Sequence, residues 1–174
     1  DLSDEDVAAL FTASYEGYLE PFAVGAAAVR SLTETCDLDR AASVIAVRDG
    51  ERVGLANLGL RGREAWVGGV GVVPTERRRG TGSRLMQALH ENARSHGVER
   101  VWLEVIVENS GAIALYEQLG YEHVRELEVW SLAGAAGGEA NETDAAEAHA
   151  WIREHRVERE PWQRDDASLA RAAD

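Results

Sequence analysis

The sequence contains no lysine: all 18 of its basic residues are arginines. This excludes Schiff-base catalysis by lysine and the lysine of a P-loop nucleotide site. The single cysteine, Cys36, cannot form a disulfide within the chain, which is typical of a reducing cytoplasm. No apolar run reaches the roughly 18 residues of a membrane span, and the first residues lack the pattern of a signal peptide. We therefore expect a cytoplasmic protein that does not bind membranes.

Positive charge is also scarce over the chain as a whole. The formal net charge is −13 at pH 7, and the acidic excess lies in residues 1–40 and 133–174, whereas residues 41–132 are nearly balanced. Because phosphate binding requires a broad basic face, this distribution argues against nucleic acid as a partner. The five histidines follow no convincing ligand spacing, so we expect no metal.

Apolar periodicity and turn residues predict helices that alternate with strands. Ser3, followed by three acidic residues, predicts the start of a helix, and Asp49-Gly50 between two apolar runs predicts a hairpin. This order indicates a mixed α/β fold. The predicted helices are residues 4–19, 22–32, 80–96, 110–120 and 145–156, and the predicted strands are residues 43–48, 51–60, 63–73, 100–107 and 121–132.

One cluster of positive charge lies between a predicted strand and a predicted helix. In the segment VVPTERRRGTG, residues 72–82, three arginines precede Gly80 at the start of the helix. Free backbone N–H groups at a helix N-terminus attract anions, and glycine lets a ligand's oxygens approach the backbone. Arginine side chains add charge and directed donors, so the turn suits a pyrophosphate. A solvated charge run beside a routine turn is the alternative interpretation.

Two further features accompany that turn. The strand before it, WVGGVGVV at residues 66–73, is rich in glycine, which in a strand interior marks a bulge or the close approach of another backbone. A ligand arm with its own amides could lie along such a strand. After the next strand, Asn109 precedes a helix that carries Tyr116.

In this order of motifs the chain resembles the GNAT superfamily of acetyl-CoA-dependent N-acetyltransferases. VVPTERRRGTG is similar to the family's V-x-P followed by R/Q-x-x-G-x-G, and NSGAIALYEQLGY to its N-x-x-A-x-x-L-Y-x-x-L-G-[FY] segment. The resemblance covers about residues 2–132. It implies the GNAT fold, with a mostly antiparallel central sheet that splays at the cofactor cleft and is flanked by helices. It also implies direct transfer of an acetyl group from acetyl-CoA to a primary amine in a ternary complex.

The resemblance further implies roles for individual residues. The turn would hold the pyrophosphate of coenzyme A, the strand before it would pair with the pantetheine arm, and Asn109 would contact that arm. Tyr116 matches the tyrosine that protonates the departing thiolate, a task that suits a phenol; a core tyrosine with a satisfied hydroxyl is the alternative. The implied cofactor-binding residues are Val70, Val72, Val73, Arg77, Arg78, Arg79, Gly80, Thr81, Gly82 and Asn109.

The general base is predicted from the strand VWLEV. Glu104 lies amid apolar residues on that strand, and burying a carboxylate without purpose is costly. The ribosomal-protein alanine acetyltransferase branch of the family looks similar, with a strand glutamate as base. The strand before the turn, residues 66–73, contains no carboxylate. We therefore assign the base to Glu104; a solvent-facing or salt-bridged glutamate is the equally weighted alternative.

The acceptor is expected to be a small-molecule amine or a peptide N-terminus. In this family acceptor specificity lies in the first two helices and their junction, which here reads SYEGYLEPF. Aromatic and acidic side chains suit a cationic amine, and an ordinary amphipathic helix end is the alternative. The candidate substrate-binding residues are Tyr15, Glu16, Tyr18 and Glu20.

Two departures from the family pattern bear on domain organisation. The family's first strand is missing, and the final strand, 121–132, lacks its usual partner. Residues 1–132 are the predicted acetyltransferase domain, 133–146 a linker, and 147–174 a C-terminal extension that could begin a second region of a tandem protein or complete the sheet of a homodimer. The alternative functions are a non-catalytic acyl-CoA-binding or regulatory domain, and a nucleotide or nucleic-acid module.

Overall fold

The computed structural model describes residues 2–19, 23–128, 145–155, 161–165, 167–168 and 171. A four-stranded sheet organises these residues, in the order β1-β2-β3-β4. The strands are β1 (Leu38–Arg48), β2 (Glu51–Arg61), β3 (Glu64–Val72) and β4 (Arg100–Trp102). The first three pair antiparallel and β4 pairs parallel to β3. The predicted mixed α/β class with a mostly antiparallel sheet is confirmed.

The hairpin predicted at Asp49-Gly50 is present. Both residues have a positive φ, of 51° and 85°, as the tightest two-residue turn requires. The turn joins β1 to β2, and Arg48 pairs with Glu51 across it. β1 is longer than its predicted strand because it begins at Leu38, directly after the second helix.

Two helices precede the sheet, and both differ from the predicted bounds. Helix α1 (Asp4–Ser14) begins with the Ser3 side chain accepting from the Asp6 N–H, as predicted. It ends five residues before the predicted Leu19, since Gly17 takes a left-handed conformation with φ of 69°. Helix α2 (Ala26–Thr35) begins four residues after its predicted start. The residues that follow α1 are therefore a loop, and they reach the cleft described below.

Helix α3 (Thr81–Ser95) covers one face of the sheet. Its buried side chains are those that the periodicity predicted, namely Leu85, Met86, Leu89 and Ala93, and they pack against β1, β2 and β3 as the main core cluster. Gly97, with φ of 74°, lies just beyond the end of the helix. At about 25 cal/mol per Å² of buried apolar surface, each such leucine contributes roughly 2 kcal/mol.

Strands β3 and β4 pair over only three residues. Glu64, Ala65 and Trp66 face Arg100, Val101 and Trp102, and then the strands separate. Beyond Trp66, Gly68 bulges out of the ladder with β2, and Gly69 has φ of 136°. The prediction of a strand over 100–107 is wrong after Trp102, because residues 103–106 have lost the neighbour that would supply ladder hydrogen bonds.

The predicted last strand is also absent from the described part of its range, residues 121–128. Residues 121–128 form neither helix nor strand, and residues 129–132 lie outside the described residues, as does most of the predicted linker. Helix α4 (Ser110–Gln118) and helix α5 (Ala145–His155) are present as predicted. Within the described ranges, no helix is long and apolar enough to cross a bilayer. The division into domain, linker and extension stays a prediction.

Candidate active site

A narrow cleft opens where β3 and β4 separate. Its volume is about 90 Å³, and it lies between the free edge of β3, the segment after β4, helix α4 and the loop after α1. It brings together predicted residues from four separate stretches of the chain. The lining residues are Tyr15, Tyr18, Val67, Gly69, Val70, Leu103, Glu104, Val105, Asn109, Ala112 and Tyr116.

Tyr116 enters this cleft from helix α4. Its ring packs edge-on against Tyr121, with centroids 5.7 Å apart. Burial, with a smaller contribution from the neighbouring Tyr18 hydroxyl, raises the pKa of Tyr116 to about 12. The phenol therefore keeps its proton over the whole working range of pH. Its hydroxyl is therefore present in the cleft as a proton donor.

Asn109 fixes the start of helix α4. Its Oδ1 accepts from the Ala112 N–H at 3.1 Å, which makes it the N-cap. Its Nδ2 donates to the Tyr18 hydroxyl at 3.4 Å. The capping oxygen is thus committed to the helix, and the amide nitrogen is the part that faces the cleft.

Glu104 lies on the opposite wall, just after the end of β4. Its Oε2 accepts from the indole N–H of Trp66 at 2.6 Å, and the residue is otherwise exposed to solvent. A carboxylate held at one oxygen by an N–H still has lone pairs for a proton. Sequence patterns did not predict this bond, because the two residues are 38 positions apart.

Tyr15 and Tyr18 form the wall on the α1 side. The Tyr15 ring stacks on Phe11, with centroids 4.7 Å apart, and meets Tyr18 edge-on at 5.0 Å. Burial, followed by the nearby Tyr116 and Tyr18 hydroxyls, raises the pKa of Tyr15, and a hydrogen bond from the Val70 backbone opposes the rise. Glu16 is exposed beside them, whereas Glu20 lies outside the described residues.

Of the three valines predicted to meet the cofactor arm, Val70 lines the cleft, and Val72 and Val73 do not. The Val73 N–H donates to Val53 O on β2 and its carbonyl accepts from the Glu76 N–H, so both of its backbone groups are used within the protein. The Val70 N–H donates to the Tyr15 hydroxyl, and Val72 O accepts from Arg77 Nε. These two backbone groups therefore point away from β2.

The side chain of Arg77 is directed away from the predicted pyrophosphate turn. Its Nε donates to Val72 O at 2.9 Å, and its Nη2 donates to Ser14 O at 3.1 Å and Glu16 O at 2.6 Å. Its backbone N–H donates to Pro74 O. Arg77 therefore ties the end of α1 to the free edge of β3, a role that the run of three arginines did not reveal.

The rest of the turn has the geometry of an anion site. Gly80 is the N-cap of α3 with φ of 78°, and no side chain caps the helix. The first three helical residues, Thr81 to Ser83, have N–H groups without intrahelical acceptors. Arg78 is exposed with φ of 62°, and Arg79 is paired with the buried Glu76 at 3.2 Å. The free backbone N–H groups of Thr81 to Ser83 thus follow Arg78 and Arg79 directly in the chain.

Comparison with known proteins identifies the family. The family model of the acetyltransferase (GNAT) family matches residues 6–121. A ribosomal protein bS18-alanine N-acetyltransferase of Salmonella typhimurium is 43% identical over 58 residues, which are 33% of this chain and 39% of the relative. The chain thus spans well under half of that curated relative.

Two solved structures share the fold. The ribosomal-protein-S18-alanine N-acetyltransferase from Escherichia coli superposes with a TM-score of 0.54 at 22% identity, over 68% of this chain and 71% of that one. An aminoglycoside acetyltransferase from an uncultured soil metagenomic sample gives a TM-score of 0.56 at 24% identity, over 75% and 95%. The chain belongs to the GNAT acetyltransferase family, as its motifs predicted, and acetyl-CoA is the co-substrate of this family.

Two features of the site fit parts of acetyl-CoA. The uncapped helix end suits the pyrophosphate, and a Cβ on Gly80 would meet only Arg84 Nη2, at 3.9 Å, so the turn is open on that side. The β3 edge beyond Trp66 has no strand beside it among the described residues. Tyr15 and Arg77 already hold Val70 N–H and Val72 O, so a bound arm would displace one of them or use the remaining groups of that edge.

Replacing Gly80 tests the anion turn. Gly80→Ala is expected to weaken acetyl-CoA binding at least tenfold, because a Cβ would project where the phosphate oxygens approach the backbone. It also introduces left-handed strain of about 1 kcal/mol. Gly97→Ala is the matched control: Gly97 has a similar φ of 74°, has nothing near its Cβ position and lies at the other end of α3. Isothermal titration with acetyl-CoA should show wild-type affinity in Gly97→Ala. Equal affinities of the two variants would show that the Gly80 turn does not bind the pyrophosphate.

Proposed function

We propose that this protein transfers an acetyl group from acetyl-CoA to a primary amine, directly and within a ternary complex. One observation carries the proposal: a protonated phenol and a hydrogen-bonded carboxylate, Tyr116 and Glu104, line the same cleft. The free edge of β3 borders that cleft and leads to the anion turn at Gly80. Acid, base and cofactor groove are thereby adjacent.

Each reacting group has a role that its surroundings support. Acetyl-CoA supplies the acetyl thioester. Glu104 accepts the proton that the ammonium must lose before its nitrogen can attack, directly or through water in the cleft. A C–N bond forms and the C–S bond breaks, and Tyr116 donates its proton to the departing thiolate sulfur. The nitrogen loses its second proton to solvent as the amide forms. Tyr116 then recovers a proton from solvent, and Glu104 releases to solvent the one that it accepted.

The cofactor groove is proposed to use backbone groups of Val70 and Val72 together with the turn from Arg78 to Gly82. Arg77 is assigned instead to holding the groove in shape, and Val73 to the strand ladder. Asn109 keeps its predicted place beside the arm through Nδ2. Val73 is set apart because both of its backbone groups are used within the protein, whereas Val70 and Val72 each have one group bonded to a side chain.

The acceptor is proposed to be a peptide N-terminus or a small-molecule amine that enters beside Tyr18 and Glu16. Tyrosine faces and carboxylates attract an ammonium group, and the net charge of −13 favours a cationic acceptor. The similarity to a bS18-alanine N-acetyltransferase makes an alanyl peptide the first acceptor to test. We further propose that the protein acts in the cytoplasm and binds neither membranes nor nucleic acid; a homodimer is the proposed alternative to a monomer.

Acetyl-CoA should raise the melting temperature, because a ligand that binds only the native state stabilises it by mass action. At 100 times the Kd the stabilisation is about 2.7 kcal/mol. ATP and NAD lack the pantetheine arm and should shift the melting temperature much less. Differential scanning fluorimetry makes this comparison. Equal shifts in melting temperature with acetyl-CoA, ATP and NAD would show that the turn binds anions without selecting acetyl-CoA.

Turnover is measured by thiol release with alanyl peptides, polyamines, aminoglycosides and amino acids as acceptors. The enzyme adds little background to a thiol reagent, because Cys36 is buried at 2% exposure. Stabilisation by acetyl-CoA with no thiol release from any acceptor would favour the non-catalytic acyl-CoA-binding alternative.

A further inference from the structure

A C-terminal segment, residues 161–165 and 167–168, packs onto the domain beside the cleft. Its Trp162 is 3% exposed and lies in a cluster with Cys36 and Trp66. The Trp162 indole N–H donates to Cys36 O at 2.8 Å. Trp162 and Trp66 stack at an interplanar angle of 12°, with centroids 6.4 Å apart.

Arg61 holds this segment in place. Its guanidinium lies over the Trp162 ring, 4.2 Å from the centroid. It donates to both Asp165 carboxylate oxygens at 2.7 Å, to Ser168 Oγ at 2.8 Å and to Asp37 at 2.6 Å. Arg61 is largely buried, with 16% of its side chain exposed, so these charge-assisted bonds are poorly screened. So many specific contacts indicate a docked segment with a single orientation.

Trp66 connects the segment to the cleft. One face of its ring meets Trp162, and the Gly68 that follows leaves room for it, since a Cβ there would lie 2.9 Å from Trp66 Cζ3. Its N–H is the bond donor to Glu104 at 2.6 Å. Trp66 is 3% exposed, whereas Glu104 lies on an irregular segment with its side chain open to solvent.

We infer that Trp66 and Trp162 are positioning residues that hold the carboxylate of Glu104 at the cleft. This inference rests on the proposed function. An exposed glutamate on an irregular segment samples several rotamers, and ordering it costs up to about 2 kcal/mol. The short hydrogen bond from the rigid, buried Trp66 indole selects one Glu104 rotamer. The Trp162 ring fills the space into which the Trp66 indole could otherwise rotate. The C-terminal segment thereby contributes to catalysis without touching a substrate.

The kinetic test compares Trp66→Phe and Trp162→Ala with the wild type, using acetyl-CoA and an alanyl peptide. Trp66→Phe keeps an aromatic ring in the core but removes the N–H donor together with the second ring of the indole. We expect kcat to fall about tenfold in each variant with the KM for acetyl-CoA unchanged, at the lower end of what misplacing a reacting group costs. Trp151→Phe is the control, because Trp151 is 62% exposed and stacks on His155 of α5.

A second background shows whether the effect passes through Glu104. In Glu104→Gln, which loses the base, neither tryptophan substitution should lower kcat further. A further tenfold fall in that background, or an unchanged kcat in Trp66→Phe, would overturn the inference. If Trp162→Ala melts below the assay temperature, Trp162→Phe preserves most of the volume and should show a smaller fall in kcat.

A spectroscopic measurement is independent of activity. The five tryptophans give separate indole N–H signals in proton–nitrogen correlation spectra, assigned from single Trp→Phe variants. Glu104→Gln and Trp162→Ala should each move the Trp66 signal, and the Trp151 signal should stay in place. A Trp66 signal unmoved by Glu104→Gln would refute the positioning bond even in an active enzyme. If the Trp66 signal shifts as expected in both variants but the wild-type protein releases no thiol, the positioning bond stands and the proposed function is refuted.

Discussion

Tyr116→Phe is expected to lower kcat about 100-fold, the scale of general acid catalysis, while the Kd for acetyl-CoA stays unchanged. The substitution keeps the ring against Tyr121 and removes only the hydroxyl. Because burial raises the pKa of Tyr116 to about 12, the wild-type phenol is protonated at every pH of assay. Its loss should therefore lower the rate uniformly from acid to mildly alkaline pH, as stopped-flow thiol release would show.

Tyr121→Phe is the matched control for that experiment. Burial also raises the pKa of Tyr121, but its hydroxyl bonds to His90 Nε2 at 2.8 Å and the residue does not line the cleft. We expect its kcat to match the wild type, with some loss of melting temperature from the lost hydrogen bond. Full activity in Tyr116→Phe would mean that water protonates the thiolate and that the protein contributes chiefly by holding the reactants together.

Glu104→Gln is expected to lower kcat about 100-fold near pH 7 and far less near pH 9. The α-amino group of an alanyl peptide has a pKa of about 8, so at the higher pH most of the acceptor is already neutral and needs no base. Glutamine can still accept from the Trp66 N–H, so the fold should be preserved. Steady-state rates across this range, with melting curves beside them, make the comparison.

The control for Glu104→Gln removes the same charge elsewhere. Glu117 lies on the exposed side of α4 outside the cleft, and Glu117→Gln should leave the rate unchanged at both pH values. A Glu104→Gln variant that is equally slow at both pH values and melts well below wild type would make Glu104 a structural residue.

The glycines of β3 have close neighbours within the protein. Their density suggested the approach of a ligand arm, but the structure gives each a neighbour within the protein. A Cβ on Gly69 would lie 2.6 Å from Phe11 Cζ, and one on Gly71 would lie 2.6 Å from Ser14 Cβ. Helix α1 packs directly on the strand, and the glycines make room for it. A one-dimensional pattern shows that something comes close but does not show what.

The three consecutive arginines separate in the same way. Arg77 turns inward to three backbone carbonyls, Arg79 pairs with Glu76, and Arg78 is exposed in a left-handed conformation. Adjacent residues in an irregular turn point in different directions, and the acceptors that attract each one come from distant parts of the chain. The spacing of the three arginines in the sequence therefore could not predict which contact each one makes.

Local chemistry in the sequence was sufficient to predict the Asp49-Gly50 hairpin, the N-cap of α1, the apolar face of α3 and the family. Each of these depends on residues close together in the chain: a left-handed pair at Asp49-Gly50, a hydroxyl at Ser3, a 3.6-residue period along α3. The tertiary structure alone decided where β4 ends and what the β3 glycines accommodate. It also decided that Trp66 donates to Glu104 and stacks on Trp162. Those outcomes depend on contacts between residues up to 126 positions apart, and such contacts form only when the whole domain packs and buried donors must find acceptors.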